Sequence, residues 1–114
     1  MSKKSLIELR DEMRAVARGE RKPSLLPAAP VLAALSQETI DLLGILLRDR
    51  PETVSKLVQI AGRAQPNVSR SLQVLETHRL VRLVRVGREV RPEPTASDIR
   101  VDLTTGKCEF TPVT

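Results

Sequence analysis

The sequence predicts an α+β fold in which short helices come first and β-hairpins come after them. Apolar residues recur at helical spacing as far as Leu80, then alternate at strand spacing from Val81 onward. Gly87-Arg88 and Thr105-Gly106 sit where the alternating segments must reverse. Charge adds a third observation. The net charge is +5, yet residues 53–92 alone hold eight basic and two acidic residues, a local excess of +6. An excess gathered into one stretch is the footprint of a surface that meets phosphate.

Residues 5–18 predict a helix. Leu6, Leu9, Met13 and Val16 form a narrow apolar stripe, with Glu8, Arg10, Asp11, Glu12 and Arg14 around it. A lone helix of this length is marginal in water, so the stripe packs against something, by preference a second copy of the chain. Gly19 is the expected stop. Residues 20–34 carry Pro23, Pro27 and Pro30 among small residues, which predicts an extended connector held through Leu25, Leu26, Val31 and Leu32. Residues 1–34 are thus an arm for a dimer or partner contact, and residues 35–114 are the main domain.

The next helix starts at Ser36, a good N-cap, with Glu38 in the positive first turn. Leu35 and Ile40 occupy the two positions of a hydrophobic staple. Its body, Ile40, Leu42, Leu43, Ile45, Leu46 and Leu47, is apolar on most sides, as in a helix central to a core. Pro51 ends it. Thr53 caps a second short helix with Val54, Leu57, Val58 and Ala61 on one face, and Gly62 supplies a left-handed stop. Arg63, Ala64 and Gln65 lead to a third helix over 66–78, capped by Gln65 and with Pro66 at its first position. Val68, Leu72 and Leu75 face inward. Steps of 100° then put Pro66, Arg70, Gln73 and Thr77 on the opposite side, flanked by Asn67.

Residues 81–86 and a return from Glu89 to Arg91 predict a hairpin with a basic rim. Pro92, Pro94 and Ser97 are expected to break the pattern. Asp98 to Leu103 alternates again, with Ile99, Val101 and Leu103 on one face, and Cys108, Phe110 and Val113 close the chain.

Three short helices leading into a hairpin is the layout of a winged helix-turn-helix, here with an added N-terminal helix and a further C-terminal β segment. The third helix offers polar side chains to a major groove while its back holds the core. Arg70 matches a guanine edge, and Asn67 or Gln73 an adenine edge. Gln65, Pro66, Ser69 and Thr77 complete that helix's expected contacts. Lys56 and Arg63 lie where such a motif crosses the DNA backbone. Arg85, Arg88 and Arg91 sit in or beside the hairpin turn, where they can straddle a phosphate ridge or enter a minor groove.

The stretch QPNVSRSLQVLETHRLVRLV resembles the recognition helix and first wing strand of MarR-type and related winged helix-turn-helix regulators. Pro66-Asn67-Val68-Ser69-Arg70, Leu72, Leu75-Glu76 and Leu80-Val81 carry the likeness. Residues 36–103 as a whole are similar to short regulators, some of which act as antitoxins. The resemblance implies sequence-specific binding of double-stranded DNA as a homodimer, with repression of transcription. The alternative it implies is an antitoxin or interaction module whose N-terminal arm binds a toxin. Such regulators have glycine where this chain has Arg79, because the residue after the recognition helix takes positive φ.

Composition removes other classes. Phe110 is the only aromatic, so the chain lacks the stacking rings of a single-strand binder. Cys108 and His78 are each the only residue of their kind, which excludes an internal disulfide and leaves too few ligands for a metal. No nucleophile–histidine pair, phosphate loop or paired carboxylates point to catalysis, and no cofactor is implied. Apolar runs are too short for a bilayer and no leader pattern is visible, so a cytoplasmic, non-membrane protein is expected.

Overall fold

The computed structural model describes residues 25–113, so the helix expected over 5–18 and the connector up to Ser24 lie outside the described residues. Residues 25–113 form an α+β fold of four helices and five strands: β1 (Leu26–Pro27), α1 (Ala28–Ala34), α2 (Gln37–Asp49), α3 (Val54–Ala61), α4 (Gln65–Thr77), β2 (Val81–Val86), β3 (Glu89–Pro94), β4 (Ala96–Asp102) and β5 (Lys107–Pro112). The strands form two antiparallel sheets, one of order β1-β5-β4 and one hairpin, β2-β3.

The extended connector expected over 20–34 is not what residues 28–34 form. They make α1, and its Ala28, Val31 and Ala34 are buried. Four of its seven residues are alanine, the best helix former. Pro30 is its third residue, inside the first turn, where a missing N–H breaks no intrahelical bond. The corner into α2 is locked reciprocally. Thr39 N–H donates to Ser36 Oγ at 3.2 Å, Ser36 N–H donates to Thr39 Oγ1 at 2.8 Å, and the Thr39 hydroxyl donates to the Ala34 carbonyl at 2.7 Å. Helices α1 and α2 meet there at 86°. Helix α2 is less enclosed than its composition suggests. Leu42 and Leu46 are buried, Leu43, Ile45 and Leu47 are half-buried, and Ile40 is 49% exposed.

Helix α3 starts and stops as expected, with Thr53 Oγ1 accepting from Lys56 N–H at 3.0 Å and Gly62 at φ +67°. Helix α4 begins one residue early. Ala64 is the N-cap and Pro66 the second helical residue, a position equally tolerant of a missing N–H. At its far end Arg79 N–H donates to the Glu76 carbonyl and Leu80 N–H to the Leu75 carbonyl, at 3.0 and 2.9 Å. This is the paired bonding of a Schellman stop, with Leu75 and Leu80 both buried beside it. Arg79 takes the left-handed position at φ +62°.

In the hairpin, β3 does not stop at Arg91. It continues through Pro92 and Pro94, which pair with Leu83 and Val81. The turn has two residues, so Val86 and Glu89 exchange the first hydrogen bonds and the bonded pairs fall at every second position. Pro92 and Pro94 therefore occupy non-bonded pairs, where the nitrogen faces away from β2 and the lost donor costs the ladder nothing. Val81, Leu83, Pro92 and Pro94 form the inner face against the helices, all buried or half-buried.

The last two strands pair within the chain, with Val101 opposite Cys108 and Ile99 opposite Phe110. Leu103 lies in the turn rather than on the apolar face and is 89% exposed. Asp102 accepts from the Thr104 N–H at 2.9 Å and from its hydroxyl, and these bonds hold its carboxyl below the usual range. Cys108 is buried, which pushes its thiol up and suits a packing role.

One core joins these parts: Val31, Leu42, Leu46, Leu57, Val68, Leu72, Leu75, Leu80, Val81 and Cys108 are in one cluster. Thr95, alone between β3 and β4, ties three pieces to it. Its N–H donates to the Leu80 carbonyl, its hydroxyl to the Arg79 carbonyl, and its carbonyl accepts from Val113 N–H. Among the described residues no single helix is long and apolar enough to cross a membrane.

Two substitutions at this corner change stability in opposite directions. Arg79→Gly raises unfolding free energy by about 0.5–1 kcal/mol in urea melts, since relief of left-handed strain exceeds the chain entropy glycine adds to the unfolded state. Thr95→Val lowers it by about 1 kcal/mol through loss of the hydroxyl bond.

Candidate nucleic-acid interface

The turn between α3 and α4 is held to α2 by Arg63. Its Nη2 lies 3.0 Å from Asp41 Oδ2, and its Nη1 donates to the Glu38 carbonyl at 3.2 Å. Sequence reasoning put this guanidinium on a phosphate. In the structure it links the α3–α4 turn to α2, through a part-exposed pair worth up to about 1 kcal/mol.

Helix α4 buries Val68, Ser71, Leu72 and Leu75 and exposes Gln65, Pro66, Asn67, Arg70, Gln73 and Thr77, with Ser69 half-exposed. The exposed side is divided. Gln65, Ser69 and Gln73, each four residues apart, form one wall of a cleft of about 410 Å³. Leu83, Arg88, Glu89 and Val90 of the hairpin form another wall, and Thr53, Val54 and Ser55 at the start of α3 close a third side. Arg70 and Thr77 stand on the crest of α4 beyond this cleft. The Thr77 hydroxyl is turned back onto the Gln73 carbonyl at 2.9 Å.

The three hairpin arginines do not form a single row. Arg88 is in the turn and lines the cleft with α4. Arg85 is paired with Val90 on the inner side, near the tip. Arg91 alternates to the outer side, where its Nη1 is 4.0 Å from Glu93 Oε2. Arg82 also holds Glu93, at 2.7 Å. A basic hollow of about 310 Å³ gathers Arg50, Arg82 and Arg91 around that one carboxylate. Arg50 and Arg82 were absent from the expected set. Only the cross-strand register, which sequence spacing leaves open past the prolines, puts Arg82 and Arg91 beside the same acid.

Lys56 is exposed in the first turn of α3. The backbone N–H groups of Val54 and Ser55 have no intrahelical partner, and this positive helix end opens on the cleft. Sequence reasoning recognised Thr53 as a cap but not that its helix end would face α4. The cleft therefore combines amide and hydroxyl side chains, one guanidinium, the Glu89 carboxylate and a helix N-terminus. Such a set can hydrogen-bond a polar edge, with Arg88 and the helix end favouring an anion and Glu89 opposing it. Among the described residues no group of three His, Cys, Asp or Glu side chains could hold a metal ion.

No curated protein matches this chain. The model of the HVO_A0114 family matches residues 34–101, from the corner before α2 through nearly all of β4. That span covers all of α2, α3, α4 and the hairpin, more than half of the sequence, and the chain belongs to the HVO_A0114 family.

Proposed function

We propose that the chain is a winged helix-turn-helix regulator that binds double-stranded DNA as a homodimer. One observation carries the reading: the polar flank of α4 and Arg88 at the hairpin tip line the same cleft. A helix laid in a major groove would bring Gln65, Asn67, Arg70 and Gln73 toward base edges, and the adjoining hairpin would meet the neighbouring backbone. Lys56, Arg70, Arg85 and Arg88 supply basic charge that has no ion pair among the described residues, whereas Arg63 is held by Asp41 and Arg82 and Arg91 by Glu93. The stretch 53–92, which contains α3, α4 and the hairpin tip, holds the +6 excess. Phosphate attraction would supply most of the affinity and make it fall with salt. Arg70 is the base reader in this reading. It is exposed on the crest of α4, and among the described residues it has no hydrogen bond or ion pair to account for its length.

The test is duplex binding by fluorescence anisotropy at two salt concentrations, with selected and random sequences. Arg88→Ala weakens binding to both duplexes alike and lowers the slope of log K against log salt by about 1. Arg70→Ala costs roughly 1–3 kcal/mol on the selected duplex and little on the random one. Wild-type protein showing no salt-dependent duplex affinity would overturn the reading.

A further inference from the structure

The end of α2 and strand β3 line a second hollow, the one of about 310 Å³, which shares no residue with the cleft beside α4. Three guanidiniums meet there, from Arg50, Arg82 and Arg91, and Glu93 is the one acidic side chain among them. Pro51, Pro92 and Pro94, all buried, and the half-buried Val113 complete the lining.

The arginines arrive by different routes. Arg82 and Glu93 are opposite each other in the hairpin register, and Arg91 lies two residues before Glu93 on the same face of β3. Arg50 comes from the other side. It ends α2 in the left-handed region, at φ +48° and ψ +55°, where glycine is the unstrained choice, and the turn leads into Pro51.

Their bonding is unequal. Arg82 gives Glu93 Oε1 two bonds, from Nε at 3.2 Å and from Nη2 at 2.7 Å. Arg91 Nη1 is 4.0 Å from Glu93 Oε2, near enough to feel its charge but too far for a hydrogen bond. Arg50 has no ion pair and no side-chain hydrogen bond among the described residues. One carboxylate thus serves three guanidiniums, and a surplus of two positive charges is left. Like charges gathered in one hollow repel one another, and a bound anion relieves that repulsion.

We propose that this hollow is an anion site that takes a phosphate group between Arg50 and Arg91, with Glu93 fixing Arg82 beside them. Charge matches: a DNA phosphodiester carries about −1 and a phosphomonoester about −1.5 to −2. The donors match too. The prolines bring no N–H, so guanidiniums supply the donors, and their planar forks meet phosphate oxygens in pairs. Glu93 opposes the anion and so limits how tightly it is held. The phosphate can belong to the backbone of a bound duplex or to a free phosphorylated molecule, and the recognising chemistry is the same for both. The site stands apart from the duplex reading, since none of its residues lines the α4 cleft.

The test is titration of the isotope-labelled full chain with inorganic phosphate at constant ionic strength, following the arginine Nε–H signals by nuclear magnetic resonance. Saturable shifts at Arg50, Arg82 and Arg91 together are expected. A response that does not saturate, or that Arg48 and Arg100 share equally, overturns the proposal. Arg50→Gln/Arg91→Gln is expected to weaken phosphate binding about tenfold or more, as for the loss of charge-assisted bonds. Glu93→Gln is expected to tighten it about two- to fivefold. Unchanged affinity in both variants, with circular dichroism also unchanged, overturns the proposal. Duplex binding separates the two sources. If the phosphate is that of DNA, Arg50→Gln lowers the salt slope of duplex binding by about 1. If it is free, Arg50→Gln leaves duplex affinity as it was and phosphate still binds the duplex-loaded chain. Saturable phosphate binding by a chain without duplex affinity defeats the regulator reading and leaves this site standing. Duplex binding without a saturable phosphate response defeats this site alone.

Discussion

The burial of one side of α4 governs the rest of the molecule. Val68, Leu72 and Leu75 lie in the cluster with Leu42, Leu46 and Leu57, nearly closed to solvent. Removing any of these leucines to alanine would leave a cavity costing about 2–5 kcal/mol, a large share of the stability of a domain this size. That constraint fixes the rotation of α4 about its own axis. Once it is fixed, Gln65, Gln73 and Arg70 have no choice but to face outward. The polar surface is thus a by-product of packing, and its precision is that of the core behind it.

The same constraint reaches the hairpin through a single corner. Leu80 comes three residues after the end of α4 and is already buried in the core. Between them Arg79 must turn left-handed, and Thr95 returns from the other strand to bond both Arg79 and Leu80. The hairpin leaves the core in a direction set by these few bonds. Arg88 therefore arrives beside α4 although nothing in its own neighbourhood of the sequence refers to that helix.

Much of this architecture is legible in the residues themselves. Ser36, Thr53, Gly62 and the Val68-Leu72-Leu75 stripe are strong local signals, and each element they mark is present. Proline and composition misled in most places, and at Leu103 an alternation that runs on into a turn did so. Pro27 and Pro30 suggested an extended arm where a first turn tolerates them, and Pro92 and Pro94 suggested a break where a non-bonded register accommodates them. At the candidate site the outward residues of α4 could be read from rotation alone. The partners could not. That Arg63 is held by Asp41, and that Arg91 shares Glu93 with Arg82, are facts of tertiary approach across 22 residues and of strand register. A helical or alternating pattern carries neither.

The prolines of β3 have one further effect. Residues 90, 92 and 94 are those whose nitrogens face the free edge of the hairpin, and two of the three lack a hydrogen to donate. A foreign strand approaching that edge would find acceptors but almost no donors, and could not zip onto it. The projecting arm is thereby kept from seeding fibres, even though its tip carries Val86 in the open. Two ring closures in the backbone let an exposed, twisted ribbon stay a ribbon in a crowded solution.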